Sequence, residues 1–197
     1  MSLLLFYDTE TQTMPLFREP SSDPRQPHLV QVAAKLIDSD TRACHAAVDL
    51  IVRPDEWEIP EETVEVHGIT TEHALRVGVP EEAALMMILT LEEIADVRVA
   101  HNESFDARIV RIAVKRFIDD EHADEWKTHD SYCTMHNSTK VCGLAGTHAG
   151  RNKWPRLTEA YKHFTGQEME NAHNAMADVD GCIAVYFGIM DFEREAG

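Results

Sequence analysis

The chain has 197 residues, 44% of them apolar, which is enough to bury a core without disulfide or metal staples and excludes a disordered or collagen-like chain. Eighteen Lys and Arg against thirty-five Asp and Glu leave a formal net charge of −17, which argues against a protein that holds duplex nucleic acid by bulk electrostatics. Any nucleic-acid contact is then local or bridged by cations. The cysteines Cys44, Cys133, Cys142 and Cys182 form no Cys-x-x-Cys pair, and nothing at the N-terminus has the charged, apolar and small-residue order of a signal peptide. No apolar run approaches the roughly 20 residues of a membrane helix. The expectation is a cytoplasmic protein with reduced thiols and no membrane span.

In chain order, Leu3 to Tyr7 is apolar at every position, as a central strand covered on both faces requires, and the run stops at Asp8-Thr9-Glu10. Four prolines between residues 13 and 27 predict an exposed loop. Strands are expected over 28–37 and 46–52. Short helices follow over 63–69 and 71–77, punctuated by Gly68 and Gly78. Pro80-Glu81-Glu82 opens a helix to about Ala95, with proline and acids where a first turn prefers them. Val97 to Ala100 reads as a short strand, Ser104 to Phe117 as a helix, Leu157 to Phe164 as a short helix and Asn174 to Met190 as the last one. Strands early and helices later give an α/β chain with a mixed sheet, read as one domain over 1–197.

Four carboxylates stand out. Asp8 and Glu10, two residues apart, share one face of a strand with Leu4 and Phe6. On a helical wheel Asp106 lies within the apolar stripe of Val110, Ala113, Val114 and Phe117, while Arg108, Arg111 and Lys115 cluster opposite, as a solvated outer face. Asp178 likewise shares a stripe with Cys182, Val185 and Ile189, whereas Asp180 points away. An unpaired carboxylate on an apolar face costs several kcal/mol unless a cation, a hydrogen-bond network or a raised pKa relieves it. Together the four acids suit a hard divalent cation bound through oxygen, Mg²⁺ or Mn²⁺.

Three segments containing these acids resemble the motifs of the DEDD 3′-to-5′ exonucleases. They are Phe6-Tyr7-Asp8-Thr9-Glu10-Thr11, His101-Asn102-Glu103-Ser104-Phe105-Asp106 and His173-Asn174-Ala175-Met176-Ala177-Asp178. The histidine five residues before the last acid places the resemblance with the DEDDh, or DnaQ-like, branch, and His67-Gly68-Ile69-Thr70 is similar to a further segment of that branch. The resemblance implies an RNase H-like fold, a five-stranded mixed sheet flanked by helices. It implies two Mg²⁺ or Mn²⁺ ions held by Asp8, Glu10, Asp106 and Asp178, with His173 as general base. Five residues correspond to about 140° of helix, so His173 is expected in the loop before the helix that carries Asp178.

The implied activity is hydrolysis of phosphodiester bonds at 3′ ends of single-stranded or frayed DNA, releasing nucleoside 5′-monophosphates. The alternatives are RNA 3′-end trimming and a noncatalytic nucleic-acid-binding or polymerase-associated subunit. A DNA polymerase or another replication or repair protein is the expected partner. Motif residues Thr9, Thr11, Asn102 and Phe105 are the substrate-binding candidates near the acids. Residues 138–163 carry five cations against one acid, and from them Lys153, Trp154 and Arg156 join the candidates, Trp154 as a base-stacking surface or as ordinary packing. Cys133, His136, Cys142 and His148 offer four zinc ligands at an irregular spacing that fits no standard finger, so scattered Cys and His is the preferred reading.

Overall fold

The N-terminal apolar run becomes a strand longer than its hydrophobic part. In the computed structural model, which describes residues 2–147 and 150–196, β1 covers Leu3–Thr11. The expected stop at Asp8 is therefore corrected. Asp8, Thr9 and Glu10 stay in antiparallel register with Ala33, Val32 and Gln31 of β2 (Leu29–Asp38), because paired backbone groups hold a strand whatever its side chains are. The register shifts between Glu10 and Thr11, so the ladder is disrupted just past the two acids.

The chain continues through β3 (Cys44–Ile51), α1 (Glu61–His67), α2 (Thr71–Val77), α3 (Glu81–Glu92), β4 (Val97–Ala100) and α4 (Glu103–Phe117). Then come α5 (Asp120–Glu125), β5 (Ser131–Cys133), α6 (Thr134–Cys142), α7 (Leu157–Thr165) and α8 (Ala175–Ala196). The five strands lie in the order β3-β2-β1-β4-β5, the first three antiparallel and β1, β4 and β5 parallel. This is the mixed sheet expected. Among the described residues no helix is long and apolar enough to cross a membrane.

β1 is central, and its alternation sorts the core. Leu5 and Tyr7 enter the cluster that holds Leu85 and Ile88 of α3 and Ile109 and Ala113 of α4. Leu4 and Phe6 face Ala175, Val179 and Cys182 of α8. By period two, Asp8 and Glu10 continue the α8 face and Thr9 the α4 face.

Residues 13–27 contain no regular element and run over the surface, as their prolines predict. The loop is nonetheless tied down by α4. Arg108 donates from Nη2 to the carbonyls of Leu16 and Glu19 at 2.9 and 2.8 Å. Arg111 Nε donates to the Ala123 carbonyl, and Lys115 reaches Asp120. The solvated outer face expected of Arg108, Arg111 and Lys115 is thus replaced by a half-buried one that holds the loop and α5.

One turn further, Arg116 Nη1 donates to Glu81 Oε1 at 2.9 Å, and its Nη2 donates to the carbonyls of Gln26 and Pro27. Glu81 is buried and also accepts from the Leu29 amide at 3.0 Å. Removing the arginine leaves the buried Glu81 with only His28 Nδ1, 2.6 Å from Oε2, and the Leu29 amide as partners. Arg116→Met is expected to lose about 3 kcal/mol in urea denaturation and to open residues 13–27 to limited proteolysis.

Candidate active site

Three elements deliver the four carboxylates to one place. β1 presents Asp8 and Glu10, the first turns of α4 present Asp106, and the start of α8 presents Asp178. Asp106 is only 3% exposed, as its place in the apolar stripe predicts. Asp180 points outward and pairs with Lys35, so the choice of Asp178 over Asp180 holds.

Asp106 is fixed by Thr9, whose amide and hydroxyl both donate to Asp106 Oδ1, at 3.1 and 2.8 Å. Thr9, a substrate-binding candidate in the sequence, directs its hydroxyl at the carboxylate of α4, the helix on its own face of the sheet. Two donors on one oxygen hold the Asp106 carboxylate in a fixed orientation. Thr9→Val is expected to lower kcat/KM about tenfold and to raise the divalent-ion concentration needed for half-maximal rate, checked by metal titration.

His173 sits in the turn before α8, as its spacing predicts, with φ of 70°. Its amide lies 3.3 Å from Asp178 Oδ2 as donor, and Asn174 Oδ1 accepts from the Ala177 amide at the start of the helix. The Ala175 amide donates to Gln31 Oε1 on β2, which docks the helix start against the sheet. A ring nitrogen of His173 and one carboxylate oxygen each from Glu10 and Asp178 lie within 4.8 Å of one another, a grouping able to hold a metal ion.

The electrostatics carry the same message. Burial, then the charges of Asp106, Asp178 and Glu10, push the Asp8 carboxyl well above its ordinary range. Burial and then Asp178 and Asp106 push Glu10 up to about 8. Burial raises Asp106 to about 7 against the lowering effect of the Thr9 hydrogen bonds. Asp178 is raised by burial, with the His173 amide opposing. Four desolvated carboxyls that repel one another are a donor set for a hard cation, whose charge reverses every one of these shifts.

The remaining candidates are dispersed. Asn102 caps α4 in the left-handed region at φ of 71°, a conformation asparagine tolerates, and Phe105 packs against the core beneath that helix start. Thr11 Oγ1 donates to the Thr13 carbonyl. Trp154 is 65% exposed with its ring 5.1 Å from that of His136, so it is not packed beneath its loop. Lys153 pairs with Glu159, and the Arg156 amide donates to the same carboxylate as α7 begins. Cys133, His136 and Cys142 form no metal-ligating group among the described residues, and His148 lies outside them.

Two positioning groups were not singled out from the sequence. His101 bridges Thr134 Oγ1 (2.9 Å) and the Pro155 carbonyl (3.0 Å), tying the segment beside Trp154 to the end of β4. The Tyr7 hydroxyl donates to Glu103 Oε1 at 3.2 Å, linking β1 to α4 beneath the acids. Both lie inside the quoted motifs, and their signal was a polar tip on an otherwise buried residue.

The RNase_T family model, described as an exonuclease, matches residues 5–186. No curated protein matches the chain in sequence. Among solved structures, exonuclease I, in a structure reported to suggest how processivity is achieved, is 25% identical with a TM-score of 0.76, over 97% of this chain and 41% of that one. The zinc-bound form of an E. coli exonuclease I–ssDNA complex is 23% identical with a TM-score of 0.78, over 98% and 41%. An exonuclease I complex with SSB-Ct is 22% identical with a TM-score of 0.74, over 99% and 42%. The chain thus spans about two fifths of the length of these structures, and it shares their fold throughout.

Proposed function

The chain belongs to the RNase_T exonuclease family, and from that premise we propose that residues 1–197 act as one metal-dependent 3′-to-5′ exonuclease domain on single-stranded or frayed DNA. The observation that carries the reading is the meeting of Asp8, Glu10, Asp106 and Asp178 from β1, α4 and α8 with His173 beside them. The choice of single-stranded DNA is supported by the E. coli exonuclease I complex to which the chain is similar. A replication or repair protein is the proposed partner, by the likeness to the exonuclease I complex with SSB-Ct.

Asp8, Glu10, Asp106 and Asp178 would hold two Mg²⁺ or Mn²⁺ ions, which supply activation of a water and stabilisation of the leaving 3′ oxygen in an in-line displacement. Partial burial of Asp8, Glu10 and Asp178 and full burial of Asp106 lower the local dielectric and would strengthen their hold on a cation. Thr9 keeps Asp106 in one orientation while the strand is processed. His173 takes the proton of the attacking water on a ring nitrogen, and the product is a nucleoside 5′-monophosphate. Trp154, largely exposed, offers a face for a base, with Lys153 and Arg156 beside it for phosphates.

The test is a 5′-labelled single-stranded DNA oligonucleotide and its RNA counterpart, in Mg²⁺ and in EDTA, beside Asp8→Ala. The expected result is a ladder shortening from the 3′ end of the DNA, abolished by EDTA and by the substitution. A faster RNA ladder would move the assignment to RNA trimming. No ladder on either, with metal bound and the protein folded, would overturn the catalytic reading.

A further inference from the structure

The turn that carries His173 has a backbone its own sequence does not favour. Asn171 and His173 both lie in the left-handed region, at φ of 54° and 70°, which residues with a side chain adopt when their surroundings impose it. Within the turn the hydrogen bonds are local. The Asn174 amide donates to the Asn171 carbonyl at 3.2 Å, the His173 amide to Asp178 and the Ala177 amide to Asn174. Among the described residues, the one hydrogen bond that joins residues 171–178 to the sheet runs from the Ala175 amide to Gln31 Oε1, at 3.2 Å and across 144 residues. We propose that Gln31, oriented by Asp49, is a positioning residue for the reaction: it fixes the turn that places the His173 imidazole beside Glu10 and Asp178.

Gln31 is 2% exposed and stands opposite Glu10 in the β1–β2 register, so the two side chains are neighbours on the face that α8 covers. A side-chain amide has an oxygen on one side and an NH₂ on the other, and its partners decide which points where. The Ala175 amide is a donor and must meet Oε1. The Asp49 carboxylate, on β3, is an acceptor and takes Nε2 at 2.7 Å. Were the amide turned over, donor would face donor at Ala175 and oxygen would face oxygen at Asp49. Asp49 thus enforces the orientation from a strand that carries none of the four acids. Glutamine also accepts from Ala175 without adding a further negative charge beside Glu10.

The bond acts on the histidine more than on the acids. Asp178 lies within α8, its amide donating to the Asn174 carbonyl, and the neighbouring Asp180 ties that helix to Lys35 of β2 without help from Gln31. His173 precedes the helix, so the direction of its ring follows the turn.

This role rests on the reading of His173 as the base of an exonuclease, and the test separates the two. Gln31→Met keeps the bulk and removes the acceptor. Its kcat on single-stranded DNA is expected to fall about 10- to 100-fold, with KM and the half-saturating Mg²⁺ concentration within about twofold of wild type. In a His173→Ala background the same substitution should cost less than about twofold, because the group it positions is gone. A loss of equal size in both backgrounds, or a loss of Mg²⁺ affinity in place of kcat, is what a general weakening of the fold gives and would overturn the proposal. Asp49→Asn retains an acceptor oxygen and should match wild type, whereas Asp49→Ala should lose about threefold in kcat. Equal rates for these two variants would overturn the orienting role of Asp49.

Hydrogen exchange at the Ala175 amide, followed by NMR in EDTA, needs no catalysis. It is expected to be slow in wild type and in Asp49→Asn, and about tenfold or more faster in Gln31→Met. Equal exchange in wild type and Gln31→Met would overturn the tie whatever the enzyme does. Wild-type protein that degrades no strand, yet whose Ala175 exchange is accelerated by Gln31→Met, refutes the exonuclease reading and leaves the tie between Gln31 and the turn standing.

Discussion

Asp8→Asn is expected to reduce the nuclease rate by about 10³-fold or more and, in the absence of metal, to raise the melting temperature by roughly 2–8 °C. The two effects have one origin. Asp8 is raised well above its ordinary range by burial and by the charges of Asp106, Asp178 and Glu10, so as an anion it is held against both desolvation and repulsion. Asparagine keeps the volume, removes one charge, and relieves the three acids that remain. Relief of that repulsion and desolvation in the metal-free fold is the source of the gain. The same deletion removes a carboxylate oxygen from the set that would hold the cations, which accounts for the loss of rate.

The pH dependence follows with a definite sign. Between about pH 4, where free carboxyls titrate, and the raised values of about 7 for Asp106 and about 8 for Glu10, these carboxyls hold protons in the folded chain that they release in the unfolded one. Stability contributed by these groups is present at low pH and lost as pH rises through that window. Asp38, held low by the amides of Thr41 and Asp40, titrates below the window, whereas His67 and His101, pushed down by burial, oppose the trend at its acid end and are outweighed by the carboxyl cluster. Metal-free protein should therefore melt lower at about pH 8.5 than at about pH 5.5, and Mg²⁺ should restore the difference because it binds the folded state alone. A melting temperature that climbs with pH in EDTA, or an Asp8→Asn protein less stable than wild type there, would contradict the electrostatic account of the cluster.

What the sequence showed of this site was the facing of side chains. The unbroken apolar run of Leu3 to Tyr7 marked a strand covered on both sides, and the structure places helices against both faces. Helical periodicity put Asp106 in the buried stripe and separated Asp178 from Asp180. Periodicity is local, however, and says nothing of a partner distant in the chain. The tie of Thr9 to Asp106 crosses 97 residues, and that of Arg108 to the loop around Leu16 crosses 92. Short elements left no period to detect: β5 has three residues, and α6, Thr134–Cys142, is rich in polar and β-branched side chains that favour no helix. The reading of Cys133, His136 and Cys142 as scattered rather than as zinc ligands gave no hint that His136 and Cys142 lie on a helix packed against α7 and α8. Arg98 was passed over because a single charge within Val97 to Ala100 does not break a strand pattern, yet its burial is the most unusual feature of that strand.

His173→Ala is expected to slow turnover by about 10²–10⁴-fold, the range of a positioned general base, while leaving the affinity for divalent ions near that of wild type. The backbone makes this substitution selective. His173 holds Asp178 through its amide at 3.3 Å, and that contact survives loss of the ring, as does the Asn174 cap that begins α8. Only the imidazole disappears. A base must be unprotonated to accept the proton of water, so the wild-type rate should rise with pH and then level. The alanine enzyme, depending on solvent hydroxide, should lack that plateau and climb steadily. The ring nitrogen also lies within 4.8 Å of oxygens on Glu10 and Asp178, which makes a metal ligand the rival role. Metal titration separates the two. A ligand's loss weakens cation affinity as Asp8→Asn does, whereas a base's loss changes the rate and its pH profile at saturating metal. A His173→Ala enzyme with wild-type rate, or with a rate restored by excess Mn²⁺, would remove His173 from the role of base.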